Sequence, residues 1–146
     1  MVLFQRRQLD FQAGAYRMRL GVETKIMGVI NITPDSFSDG GKFLDPARAE
    51  LAALRMQDEG AHVIDLGAES SRPGARVVPW REELSRLRPA LKRLAGRLKV
   101  PISVDTCKYE GAQAALADAA SIINDITGLR AHRRLAHLIA KNGASI

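Results

Sequence analysis

Apolar positions along the chain fall into short runs and helical stripes that alternate with one another. Leu9, Phe11, Tyr16, Met18 and Leu20 alternate loosely with polar residues around Ala13-Gly14, which predicts a small hairpin over residues 9–20. Ile26–Ile32 reads as a buried strand interrupted by one polar residue, Asn31. A helix starts at Asp45, with Asp as its cap and Pro46 in the first helical position, and stops near Gly60. Its Ala49, Ala52, Ala53 and Met56 recur at helical spacing and should face a sheet. The second strand is His62–Leu66, and Gly67–Pro79, rich in Gly, Ser and Pro, is a long loop. Trp80–Leu98 predicts an amphipathic helix on the stripe Leu84, Leu87, Leu91, Leu94 and Leu98, with Glu82 and Glu83 in its first turn. Pro89 lies inside it, where a proline kinks or divides a helix. A third strand at Ile102–Val104, a helix over 108–119, a fourth strand at Ser121–Asn124 and a helix over 131–141 complete the pattern. Asn142-Gly143 stops that last helix, and Ala144-Ser145-Ile146 opens a fifth strand.

Strands separated by helices imply a parallel sheet, and parallel sheets place chemistry at the carboxyl ends of their strands. Three polar residues stand there: Asn31, Asp105 and Asn124. An Asn ending a buried strand is costly unless something satisfies it, either a ligand or its own turn. Asp105 either faces a pocket together with Asn124 or caps the third helix, a task that also suits Thr106. Asp65 and Asp125 read as structural, bonding loop backbone or a neighbouring Arg. Thr33–Gly41 is too polar and Gly-rich for core and reads as a mobile lid. Within it Phe37 is an isolated aromatic, either a ligand contact or an anchor tying the loop to the body. Ser71-Arg72-Pro73-Gly74 offers a hydroxyl, a guanidinium suited to phosphate or carboxylate oxygens, and a rigid turn, although Arg72 could equally sit in water. Cys107 has no His in a triad-like context and reads as a small residue at a helix start.

Composition adds bounds rather than chemistry. With 46% hydrophobic and 26% charged residues over 146 positions, the chain is one ordinary globular domain. No run approaches the ~18 apolar residues of a membrane span, and the N-terminus shows no signal peptide. One cysteine excludes an internal disulfide and fits a reducing cytoplasm. The net charge of +6 would attract an anionic substrate or nucleic acid. Arg81, Arg86, Arg88, Lys92, Arg93, Arg97 and Lys99 lie in one amphipathic segment, however, and no nucleic-acid motif accompanies them. A solvated helix face is the simpler reading, with no nucleic-acid or membrane partner.

Four segments carry a family resemblance: Met27-Gly-Val-Ile-Asn-Ile-Thr-Pro-Asp-Ser-Phe-Ser-Asp-Gly-Gly41, Ile64-Asp-Leu-Gly-Ala-Glu-Ser-Ser-Arg-Pro-Gly74, Ile102-Ser-Val-Asp-Thr-Cys-Lys108 and Ile122-Ile-Asn-Asp-Ile126. In this order and spacing the chain resembles dihydropteroate synthase, the folate-pathway enzyme that joins a pterin pyrophosphate to p-aminobenzoate. The resemblance implies an α/β fold, a TIM-type (β/α)8 barrel. At half the family's usual length, the chain would hold its first half: four parallel β-α units preceded by a small N-terminal hairpin, residues 1–146 forming a partial pterin-binding domain. It further implies that Asn31 helps bind Mg²⁺, that Ser71 and Arg72 approach the pyrophosphate, and that Phe37 and Pro73 wall the p-aminobenzoate site. Asp105 and Asn124 would pair with the donor–acceptor edge of the pterin, much as such groups read a nucleobase edge. Ser71 stands where Thr is more usual in the family, keeping the hydroxyl and losing a methyl contact.

The family's other half would supply a further pterin-binding Asp, a Lys bridging the two substrates, and an Arg and His near the phosphates. Little or no turnover is therefore expected of this chain alone. A half barrel exposes two strand edges and an apolar face, so self-association or pairing with a C-terminal half is expected. A non-catalytic pterin-binding or assembly module is the alternative function.

Overall fold

The computed structural model describes residues 7–33, 45–70, 74 and 76–146. Its elements follow the expected order: a hairpin of β1 (Leu9–Ala13) and β2 (Tyr16–Leu20), then β3 (Met27–Asn31), α1 (Pro46–Asp58), β4 (Val63–Gly67), α2 (Trp80–Leu94), β5 (Ile102–Asp105), α3 (Tyr109–Asp118), β6 (Ile122–Asn124) and α4 (Arg134–Lys141). The hairpin is antiparallel, and the other strands form one parallel sheet in the order β3-β4-β5-β6. Ser145 makes a parallel bridge to Ile122, so a fifth strand begins where the sequence placed it. Sequential parallel strands joined by helices are the build of the first half of a TIM-type barrel.

The helices seal one face of this sheet. Ile30, Ile64, Leu66, Val104 and Ile123 point toward them and are fully buried against Ala49 and Ala53 of α1, Leu87, Leu91 and Leu94 of α2, Ala112 and Ala115 of α3, and Leu135 and Ile139 of α4. Small residues let α1 approach closely. At Gly28 an added Cβ would fall 2.8 Å from Met56 Sδ and 3.3 Å from Met56 Cβ, so a side chain there would have to displace Met56 of α1. The start of α1 obeys local rules, with Asp45 Oδ1 accepting from the Ala47 amide at 2.9 Å beside Pro46. Pro89 neither divides α2 nor ends it. It lies on the exposed side, where the carbonyl left unpaired by the missing N–H meets water.

The opposite face, which would line the barrel, is covered only in part. Ala13 packs with Val63 and Ile122, the first residues of β4 and β6, and Phe11 and Met18 lean on the same cluster. The hairpin thus floors the amino-terminal end of the sheet, secured by Gly14 N donating to Gly143 O at 2.9 Å. It encloses a cleft of about 340 Å³. The expectation of an apolar face fully open to water therefore needs correction. Val63 is covered by the hairpin and Ile64, Val104 and Ile123 face the helices, while Met27 and Val29 on β3 remain open, at 44% and 50% exposure.

The basic segment is largely engaged. Arg93 and Arg97 bind the carboxylate of buried Glu50 on α1, Arg88 reaches Asp118 at 2.8 Å, and Arg86 pairs with Glu82 at 2.5 Å. Among the described residues no helix is long and apolar enough to cross a membrane.

Candidate functional site

Strand alternation and register stack the inward side chains in rows. Val29, Asp65, Ser103 and Ile122 are cross-strand neighbours in the middle row, and Asn31, Gly67, Asp105 and Asn124 form the row at the carboxyl ends. The upper row contains no apolar side chain. It brings together three residues singled out from sequence, Asn31 exposed and Asp105 and Asn124 half-buried. Gly67 supplies the space between them: a Cβ there would sit 3.3 Å from Asn31 Oδ1 and 3.8 Å from Asp105 Oδ2. The amide and the carboxylate therefore face one gap. Phe37, Ser71, Arg72 and Pro73 lie outside the described residues.

Asp105 does not cap α3. That helix begins at Tyr109 with Lys108 as its cap residue, and it is Thr106 Oγ1 that accepts from the Lys108 amide, at 3.2 Å. The Asp105 carboxyl is pushed up to about 6, first by burial and then by the carboxylates of Asp65, Glu83 and Glu69, with Lys108 opposing them. Asp125 fills the structural role expected of it, accepting from the Thr127 and Leu129 amides at 2.9 and 2.6 Å. Those bonds hold its carboxyl below the usual range against a burial effect in the other direction.

Asp65 is buried to 3% exposure inside the barrel wall, and among the described residues, which leave out Arg72, it bonds neither loop backbone nor Arg. Its Oδ2 accepts a long hydrogen bond of 3.4 Å from Asn124 Nδ2, while Oδ1 has no partner among the described residues, nor does Ser103 Oγ beside it. Alternation gave the signal, since Asp65 shares the face of Gly67. A second buried acid was also missed. Glu83 is fully buried, and its position four residues before Leu87 on the apolar stripe would have revealed this. Lys108 Nζ contacts Glu83 Oε2 at 2.7 Å and also the carboxylate of Glu69.

The remaining reactive types do not form a nucleophilic centre. Cys107 is half-buried and burial raises its thiol, the opposite of activation. His132 stacks on Tyr109 with centroids 5.2 Å apart, and His62 accepts from the Ile26 amide at 3.2 Å. No cluster of three or more His, Cys, Asp or Glu poised for a metal exists among the described residues.

A parallel half barrel with a carboxylate and two amides in one row at its strand ends is the arrangement of a small-molecule-binding α/β enzyme. The family is settled by comparison: residues 27–146 match the model of the pterin binding enzymes, and the chain belongs to that family. It is 48% identical over 124 residues to the dihydropteroate synthase of Bacillus subtilis, covering 85% of this chain and 44% of that protein. It resembles the Yersinia pestis dihydropteroate synthase solved with a sulfonamide drug, with a TM-score of 0.84 and 39% identity over 93% of this chain and 49% of that one. For the Clostridium difficile dihydropteroate synthase solved in the presence of pteroic acid, the TM-score is 0.73 and the identity 43%, over 92% and 48% of the two chains. The chain spans about half the length of the curated relatives it matches.

Proposed function

We propose that this chain forms the pterin-holding half of a dihydropteroate synthase and, in a complete barrel, takes part in joining 6-hydroxymethyl-7,8-dihydropterin pyrophosphate to p-aminobenzoate in the cytoplasm. The observation that carries this reading is the in-register row Asn31, Gly67, Asp105 and Asn124, with both acidic and amide groups turned to one gap. Asp105 accepts from the donor edge of the pterin and Asn124 complements it, its amide oriented by the long bond to Asp65. In the reaction the bond between the pterin CH₂ carbon and the pyrophosphate oxygen breaks, with the electron pair leaving on pyrophosphate. The arylamine nitrogen then donates its lone pair to that carbon and loses a proton. The protein's part is electrostatic and geometric, so no enzyme nucleophile is required. Ser71 and Arg72 are the proposed pyrophosphate contacts, and Phe37 and Pro73 the proposed walls of the p-aminobenzoate site.

The residues present fit a Mg²⁺ ion. The Asn31 amide oxygen lines the gap that Gly67 leaves open, and Mg²⁺ takes few protein ligands, completing its shell with water and phosphate oxygens. Asn31 would hold the ion, which when bound supplies neutralisation of the leaving pyrophosphate charge.

Pairing with a C-terminal half would cover Met27 and Val29 and provide the remaining contacts, whereas pairing with a second copy would cover them without those contacts. Calorimetry of the chain with the pterin pyrophosphate, with and without Mg²⁺, tests the reading. Binding strengthened by the metal supports it, and no binding in either condition overturns it.

A further inference from the structure

The two ends of the segment between β4 and α2 meet at one carboxylate. Glu69, two residues past the end of β4, accepts from the Val78 amide at 3.2 Å through Oε1, and Val78 lies two residues before α2. The other oxygen of Glu69 is held by Lys108, immediately before α3. Lys108 Nζ also bonds Glu83 Oε2 at 2.7 Å, and Glu83 is fully buried in the first turn of α2. There is no slack around the group. A Cβ on Gly111 of α3 would fall 3.2 Å from Thr106 Oγ1 and 3.6 Å from Glu83 Oε2. Arg86 adds a tie on the same side, donating to the Ala68 carbonyl at 2.8 Å. One ammonium thus joins β4's exit, α2's start and α3's start. A buried ion pair is a poor source of stability against well-packed apolar replacements, but it fixes geometry closely.

We propose that Lys108 is a positioning residue: by holding Glu69 and Glu83 together it ties the two ends of the β4–α2 connection, Glu69 and Val78, to the start of α3. What the clasp serves rests on the function proposed above, whereas the clasp itself does not. Lys108→Met alone strands two carboxylates and endangers folding, so the decisive variant is Lys108→Met combined with Glu83→Gln. It keeps the buried site free of an unpaired charge while removing the cation from Glu69.

The 146-residue chain and its variants are to be compared by melting, by hydrogen exchange at the Val78 amide, and by calorimetric titration with inorganic pyrophosphate. The double variant should melt close to the parent while Val78 exchanges at least tenfold faster and pyrophosphate affinity falls several-fold. Lys108→Arg, which keeps the charge, should restore much of the protection. Unchanged Val78 exchange in the double variant overturns the clasp. If the parent chain binds no pyrophosphate, the proposed function fails while Val78 exchange still decides for or against Lys108.

Discussion

Acidification perturbs Asp105 without altering an atom of the chain, and its effect on pterin affinity can be worked out in advance. The carboxyl is half-buried, faces Asp65, Glu83 and Glu69, and has only Lys108 on the other side of the balance, so its midpoint lies at about 6. A pterin edge that donates hydrogen bonds needs the ionised form. The ionised fraction is about 0.9 at pH 7 and about 0.09 at pH 5, so the apparent Kd should rise about tenfold, or about 1.4 kcal/mol. The folded chain responds in the opposite sense. A carboxyl whose folded midpoint is raised holds its proton while the unfolded chain has released it, so between about pH 4 and 6 this residue's contribution to stability falls as pH rises, then stays constant. Calorimetry with the pterin pyrophosphate in metal-free buffer at pH 5, 6 and 7 measures the first effect, and the Asp105 side-chain ¹³C shift gives the midpoint directly. Asp105→Asn should abolish binding at every pH and, by removing a carboxylate disfavoured by burial and its acidic neighbours, raise the melting temperature at pH 7. An ordinary midpoint near 4, or an affinity that does not change from pH 7 to 5, would refute the reasoning.

Three further outcomes are expected. Asn31→Ala should weaken pyrophosphate binding only when Mg²⁺ is present, and an equal loss with and without the metal would remove Asn31 from that role. Gly67→Ala places a methyl 3.3 Å from Asn31 Oδ1, so pterin pyrophosphate affinity should fall several-fold while stability moves by no more than about 1 kcal/mol; unchanged affinity would mean that the gap is not the site. With Met27 and Val29 open on the inner face and β3 at the sheet's edge, sedimentation should show concentration-dependent self-association, and a single well-folded monomer at all concentrations would argue against it.

Local rules made most of the fold legible. The Asp45-Pro46 start, the leucine stripe of α2 and the short apolar strands each depend on neighbours within a turn or two, and each stands within a few residues of its expected place. Where the reading erred, distant contacts decided. The final helix begins at Arg134 rather than 131 because the Asp125 side chain ties residues 127 and 129 into a turn ahead of it. The hairpin was legible, but not its place under the sheet, since nothing in residues 9–20 specifies packing against Val63 and Ile122. In the site, Asn31, Asp105 and Asn124 were visible as polar interruptions at strand ends. Asp65 and Glu83 were missed because an acid inside an apolar pattern is easily taken for a solvent-facing residue, although alternation with Gly67 and the four-residue spacing to Leu87 carried the signal.

Those hidden acids change how the site is understood. Stability alone disfavours acids set so close in one half-buried wall, and Asp65 Oδ1 and Ser103 Oγ lie buried directly below the Asp105 row with no partner among the described residues. Lys108 answers Glu69 and Glu83 from behind the sheet, but among the described residues nothing answers Asp65 except the long Asn124 bond. What this wall lacks is donors from the inner side. A flat heterocycle carrying ring N–H and amino groups supplies donors of that kind, and a negatively charged ligand edge does not. In the function proposed above, the surplus of acceptors thus suits the pterin end of the substrate. The exposed Asn31 end of the row is left for the anionic pyrophosphate.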